Sequence, residues 1–493
     1  MTQTILRDSD NNIPDTVKTH PYSRWPLLLT IFVAATCTEA PAQSTGVSAG
    51  FTPNSDQTLL TSAPAPTNSL WASRGCVDDA RGKWFRDAKF GAFIHFGLYS
   101  ELGGYYHGQG PYDPAEQIMG LGDRHMVIPW KTYETEVGGA FNPTNFDAPK
   151  WVSLIKRAGQ KYVIVTTKHH DGFCMFRTAT THYNVMEATP FARDVIKELA
   201  DECRRQGIIF CPYYSIGDWT AADVMDPKFT SYHDYMFAQL KELMTQYGDI
   251  PLVWFDNFWY VNQQWTTDQP HARELYDLLR SLNPNVLVND RCGRGASSTD
   301  GDYATPENQL KGSRQSRYFE VVMTDTDDDN WGWVKGATNY RSAAVLIRNL
   351  IDSTSKGGNF VLNVGPTASG DFPPEHVALI DAIGAWMDVN GVAIYGTSPA
   401  PEVELPAAAD VVCYATKKDQ HIFLHVVKWP AGQGKLAVKI RRPNFVKAAL
   451  LDAKLTGFAC ENAEADGITT LKFQRPDQID PYATVIQLDF KAD

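Results

Sequence analysis

From about Cys76 onward the chain alternates short apolar runs with amphipathic segments of helical period. The runs that predict strands are "FGAFIHFG", "YVIVTTKHH", "IIFCPYYS", "PLVWFDN", "NVLVND", "YFEVVMT" and "NFVLNVG". Between them lie "APKWVSLIKRAG", "DVIKELADECRRQG", "YMFAQLKELMTQYG", "ARELYDLLRSL" and "SAAVLIRNLIDSTSKGG", and after the last strand "PEHVALIDAIGAWMDVNG"; most close on Gly, as helix C-termini commonly do. Seven strands alternating with six helices predict an α/β fold, a (β/α)8-like barrel with room for one irregular unit. A doubly wound open sheet is the alternative, and no GxGxxG follows the first strand to support it. After Pro399 the helical period stops. Short alternating runs such as "HIFLHVVKW", "KLAVKIRR" and "TVIQLDF" predict a C-terminal antiparallel β-sandwich. No internal repeat is present.

The first 75 residues do not fit this pattern. "SRWPLLLTIFVAATCTEAPAQ" joins a basic residue, an apolar core from Leu27 to Ala35 and a small-x-small site at Ala40-Pro41-Ala42, the layout of a secretory signal peptide. The apolar core is too short for a membrane span. The long acidic stretch before it allows a start near Val17, and Cys37 offers a lipoprotein alternative with a poor lipobox. The Pro/Ser/Thr/Ala-rich stretch that follows reads as an extended linker. The expected organisation is a signal region over 1–42, a linker over 43–75, a catalytic barrel over 76–398 and a sandwich over 399–493, in a periplasmic or secreted protein.

Composition narrows the function. The chain has 493 residues, 43% hydrophobic and 12% aromatic, enough to build two cores. Its net charge of -12, without basic blocks, argues against nucleic acid or an anionic membrane as partner. Eight scattered cysteines show neither zinc spacing nor a disulfide framework, and the seven left after cleavage leave at least one unpaired. No cofactor or metal motif appears. The adjacent histidines of "TKHHDGF" point opposite ways on a strand, and "DTDDDN" lacks the glycine and terminal Glu of a calcium loop. GxSxG, P-loop and HExxH are absent as well.

In a parallel barrel, chemistry sits at the C-terminal ends of the strands. Those ends collect His95, Lys168, His169, His170, Asp171, Tyr213, Tyr214, Asp218, Asp256, Arg291, Glu320 and Asn363. Two carboxylates among aromatics and hydroxyl-reading side chains are what glycoside cleavage requires. Alternation puts Leu252, Trp254 and Asp256 on one face, so Asp256 is expected in the barrel mouth, with Phe258 and Trp259 as possible walls. A structural salt bridge from Asp256 to Arg291 is the bland alternative.

At these residues the chain resembles a family. "KFGAFIHFGLYS", "YVIVTTKHHDGF", "PYYSIGDW", "LVWFDN", "VNDR", "YATPE", "FEVVMTDTDDDNWGW" and "GGNFVLNVGPTASG" resemble, in order, the motifs of the α-L-fucosidases of glycoside hydrolase family twenty-nine. The resemblance implies a retaining double displacement at terminal α-L-fucosyl residues of a glycan, with Asp256 as nucleophile. It implies Glu320 as acid/base, with Glu307 in "ATPEN" as the alternative. Fucose contacts would fall on His95, His169, His170, Tyr214, Trp219 and Arg291. Tyr105 stands where family members often carry a sugar-binding Glu, and Phe319 where Trp is usual. An α-L-galactoside as substrate and a sugar-binding protein that has lost catalysis remain the other readings.

Overall fold

The computed structural model describes residues 80–120, 127–256, 269–292, 301–311, 317–406, 408–432 and 434–491. The expected signal region, Cys37, the linker, Phe258 and Trp259 lie outside the described residues. The predicted βα alternation is realised as seven parallel strands: β1 Phe90–Ile94, β2 Tyr162–Lys168, β3 Ile209–Ser215, β4 Leu252–Asp256, β5 Leu287–Val288, β6 Glu320–Met323 and β7 Asn359–Val364. Their order is β5-β4-β3-β2-β1-β7-β6.

The gap between β5 and β6 is filled by an irregular stretch, 302–308. Asp302 N donates to Val288 O at 2.7 Å, Glu320 N to Ala304 O at 2.8 Å and Asn308 N to Val322 O at 2.9 Å. Parallel bridges join Asn289 to Tyr303 and Ala304 to Phe319. This stretch is the eighth stave of the (β/α)8-like barrel. Its backbone pairs on both sides without the regular run that would make its pattern legible as a strand.

Two apolar layers follow from strand alternation. Inward side chains, among them Phe93, Tyr162, Tyr213, Leu252, Trp254 and Val322, fill the barrel. Outward ones, such as Val163, Val165, Tyr214 and Phe255, pack against the helical ring. Several helices begin at the residues that best satisfy free backbone donors: Asp147, Asp194, Ser231 and Ser342 each accept from the backbone N–H three residues on.

The C-terminal sandwich has one sheet ordered β13-β16-β11-β10-β8 and a second ordered β14-β15-β12-β9. In this numbering β8 is Ser398–Pro399, β9 Val403–Glu404, β10 Val412–Lys418, β11 His421–Lys428, β12 Leu436–Ile440, β13 Phe445–Leu450, β14 Ala459–Ala465, β15 Ile468–Gln474 and β16 Thr484–Phe490. β12 alternates buried and exposed residues without exception, and its inward Leu436, Val438 and Ile440 meet Leu471, Phe473 and Leu488. β14 carries almost no apolar pattern because it is an exposed edge, which is why its sequence gives no strand signal. The sandwich docks on the barrel's helices: Trp386 Nε1 donates to Ala483 O at 3.1 Å and Thr416 Oγ1 to Ala393 O at 2.8 Å. No described helix is long and apolar enough to cross a membrane.

Candidate active site

At the C-terminal mouth of the barrel lies a cavity of about 210 Å³, lined among the described residues by Phe93, His95, Glu116, Gln117, His169, His170, Tyr213, Trp254, Asp256, Arg291, Glu307 and Trp331. That is below the roughly 300–1,000 Å³ of drug-sized ligand sites, so it suits one small polar ring better than a chain.

Asp256 ends β4 and looks into this cavity, as the alternation of its strand predicts. Tyr213 OH donates to Oδ2 at 2.9 Å, and Arg291 Nη1 donates to Oδ1 at 3.1 Å. His170 Nε2 stands 3.6 Å from Oδ2. Burial by itself would raise the carboxyl; the Arg291 charge, the charge His170 carries when protonated and the Tyr213 hydroxyl outweigh it and hold Asp256 below the usual carboxylate range.

Arg291 does not float. Its Nε donates to Thr305 Oγ1 and its Nη2 to Thr305 O, both at 2.9 Å, while Thr305 Oγ1 donates to Asp290 at 2.8 Å. Burial disfavours its charge, but Glu307, Asp256 and Asp290 keep the guanidinium firmly cationic. Nη1 also meets Glu307 Oε1 at 2.6 Å. The two carboxylate oxygens sharing that nitrogen therefore lie no farther apart than the sum of the two contacts, 5.7 Å. Glu307, at the end of the irregular stave, is 39% exposed toward the mouth. Partial desolvation at the pocket edge raises its carboxyl; Arg291 pulls it down and the Asp256 charge pushes it up, with a net rise.

The histidines form the opposite wall. Asn363 Nδ2 donates to Trp331 O at 2.8 Å, which fixes its Oδ1 as the acceptor facing His95 Nδ1 at 2.7 Å. His95 Nδ1 thus carries the proton and Nε2 is left as an acceptor. Ser215 Oγ donates to Gly217 O at 2.6 Å and so accepts from His170 Nδ1 at 2.5 Å, with the same consequence. Burial holds His95 and His170 near pKa 4 and pushes His169 well below its ordinary value, so all three are neutral at neutral pH. His169 Nδ1 is buried with no hydrogen-bond partner among the described residues and can pair with a ligand hydroxyl.

Three expected site residues are elsewhere. Tyr214 points outward and donates to Gln239 at 2.6 Å in the helix layer; its neighbour Tyr213 takes the pocket position, as β3 parity from Cys211 could have told. Trp219 packs behind His170, ring centroids 5.6 Å apart, and does not line the cavity. Glu320 opens β6 instead of ending it, so it lies at the closed end of the barrel, fully buried. Trp254 Nε1 donates to its Oε1 at 3.2 Å and Tyr162 OH to its Oε2 at 2.5 Å. Burial lifts its carboxyl to about 8, against those two hydrogen bonds.

Glu116 was not legible in the sequence. It lies on the loop after β1, farther along than Tyr105, which does not line the cavity. Its Oε2 accepts from Trp331 N and Gly332 N, both at 3.0 Å, while the buried Oε1 has no partner among the described residues. Burial raises it to about 8 despite those backbone donors.

The family profile described as alpha-L-fucosidase matches residues 60–392. An alpha-L-fucosidase of Dictyostelium discoideum is 30% identical over 335 residues, 64% of this chain and 72% of that protein. The crystal structure of an alpha-L-fucosidase from Vibrio sp. strain EJY3 superimposes with a TM-score of 0.72 at 30% identity, covering 83% of this chain and 72% of that one. A family twenty-nine alpha-L-fucosidase from Bacteroides thetaiotaomicron, trapped as a covalent intermediate with 2-fluoro-fucosyl fluoride in a Glu-to-Gln mutant, gives a TM-score of 0.73 at 28% identity, over 84% and 97% of the two chains. With a matching profile over most of its length and a shared barrel-plus-sandwich architecture, the chain belongs to the α-L-fucosidase family of glycoside hydrolases.

Proposed function

We propose that the protein hydrolyses terminal α-L-fucosyl residues of glycans by a retaining double displacement, with Asp256 as nucleophile and Glu307 as acid/base. The observation that carries this is the shared Arg291 nitrogen. One oxygen of each carboxylate lies at most 5.7 Å from the other's, a closeness compatible with the separation of about 5–5.5 Å in retaining glycosidases and short of the roughly 6.5–9.5 Å of inverting ones.

Ionised Asp256 attacks the anomeric carbon as Glu307 gives its proton to the departing glycosidic oxygen, leaving a covalent fucosyl ester. Glu307, now ionised, takes a proton from water; the water oxygen attacks the same carbon and releases Asp256. Two inversions give net retention. The opposed electrostatics suit these roles, with the Asp256 carboxyl pushed down and the Glu307 carboxyl pushed up from their ordinary values. Phe93, Trp254 and Trp331 offer apolar faces for the C–H face of the sugar, His95, His169 and His170 offer ring nitrogens for its hydroxyls, and Glu116, protonated at neutral pH with Oε2 taken by two backbone N–H groups, offers its Oε1 hydroxyl as a donor. The small cavity suits removal of one terminal residue at a time. We read residues 1–42 as an export signal and 43–75 as a linker, on their sequence pattern, which makes the barrel of 76–398 and the sandwich of 399–493 a periplasmic or secreted enzyme.

Hydrolysis of an aryl α-L-fucoside tests the reading. Wild type should turn it over with an α-configured first product, and Asp256→Ala should lose on the order of 10⁴-fold in kcat. An inactive wild type, or an Asp256→Ala variant of near-normal turnover, overturns it.

A further inference from the structure

Glu320 resembles a catalytic acid in sequence and in proton affinity, yet it cannot touch a substrate. It does not line the cavity, and both its oxygens are occupied from within the barrel. What it touches is the underside of the site. The polar chain beneath the pocket runs from Lys89 Nζ to Tyr318 OH at 3.1 Å, to Asn359 at 2.6 Å, to Tyr162 OH at 3.2 Å and on to Glu320. It ends on the indole N–H of Trp254.

That indole is the floor of the cavity, and it packs against the two groups that hold the nucleophile. The Tyr213 ring stacks on it at 5.5 Å and 20°, and the Arg291 guanidinium lies 4.6 Å from its centroid. Tyr213 and Arg291 donate to the two different oxygens of Asp256. The arrangement depends on close approach at β1. A Cβ on Gly91 would meet the Tyr162 ring at 2.5 Å, so glycine there lets Tyr162 lie where its hydroxyl reaches Glu320.

We propose that Glu320 is a positioning residue: by fixing Trp254 Nε1 it sets the orientation of the indole, and through the indole the places of Tyr213 and Arg291 on Asp256. This rests on the fucosidase reading above. The physical reason is that a flat ring in a filled barrel can slide in its own plane at little packing cost, whereas one directional hydrogen bond at its edge removes that freedom. Both partners of the bond are buried, so losing the acceptor strands a donor and favours a shifted indole.

An isosteric amide separates positioning from acid catalysis, because its carbonyl keeps the acceptor for Trp254 while its NH2, which stands where the oxygen accepting from Tyr162 was, cannot transfer a proton. Glu320→Gln should keep kcat within about threefold of wild type, with both limbs of the pH profile in place. Glu320→Leu should lose on the order of 10- to 100-fold in kcat, equally on activated and unactivated leaving groups and without rescue by azide. Its acid limb should move to higher pH, because Asp256 faces Arg291, His170, Tyr213 and, across Arg291, Glu307, and the first and third of these would lose register. Tyr162→Phe, which keeps the ring and removes one hydroxyl, should shift the same limb by less.

Equal losses in Glu320→Gln and Glu320→Leu, with azide rescue, would return the acid/base role to Glu320 and overturn the proposal. So would a Glu320→Leu protein that melts earlier but keeps wild-type kcat and pH limbs, since that is packing alone. If Glu320→Leu does not fold, wild-type kcat and limbs in Tyr162→Phe overturn it. A wild type without fucosidase turnover removes the underlying reading, and the proposal with it; that outcome is told apart by the wild-type control.

Discussion

The open and closed ends of the barrel each hold a glutamate with a raised proton affinity, and they teach different things about it. Glu307 stands at the mouth, two-fifths exposed, on an arginine it shares with Asp256. Glu320 is sealed among Tyr162 and Trp254, with no charged group in hydrogen-bond contact among the described residues. Burial favours the protonated form of both. A raised pKa therefore marks desolvation, and only access to the cavity turns a held proton into one that can be delivered.

The sharpest way to break this comparison is the paired amide. Glu307→Gln should lose on the order of 10²- to 10⁴-fold in kcat on a poor leaving group, recover partly with an activated one, and respond to azide. Glu320→Gln should do none of these, as steady-state kinetics on two leaving groups will tell.

Next in size is the clamp on Arg291. Thr305→Val removes the hydroxyl between Arg291 Nε and Asp290 while keeping the stave's backbone pairing. A loosened guanidinium should cost on the order of tenfold or more in kcat, by misplacing both carboxylates. The sign of the accompanying pH change follows from its charge. Arg291 lowers both Asp256 and Glu307. Activity is lost as pH falls through the Asp256 value and as pH rises through the Glu307 value. Loosening the arginine raises both, so the whole bell of kcat/KM against pH should move to higher pH.

The smallest effect concerns stability. Glu320 has its folded pKa raised from 4.5 to about 8, so the stability its protonated form confers is present below the unfolded value and lost as pH rises through 8. Glu116 behaves alike. Wild-type thermal midpoints should fall between about pH 5 and pH 8.5, and Glu320→Gln should fall less, with the remaining slope owed in part to Glu116. An equal slope in the two proteins would show that Glu320 titrates near its ordinary value.

Much of the site was legible along the chain. Parity on β4 aimed Asp256 at the mouth and put Trp254 beneath it, and the motifs brought His95, His169, His170 and Arg291 to one end of the barrel. The same parity, carried through β3, selects Tyr213 over Tyr214. Glu320 lies at the closed end for another reason. Its strand was recognised but its two ends were not told apart, and a carboxylate at the start of an inward face lies at the opposite end of the barrel from one at its finish.

The sequence by itself determined the βα alternation, the sandwich and the direction in which Asp256 faces, because these follow from periods of two and 3.6 residues and from local turns. Tertiary structure alone decided that Glu307 and Glu116 line the cavity. The first depends on an irregular stave, 302–308, whose pairing on both sides is a property of β5 and β6 and not of its own pattern. The second depends on a loop from β1 meeting the backbone of Trp331 and Gly332 more than two hundred residues away. Neither contact has a period, so neither leaves a trace in the order of residues until the barrel closes.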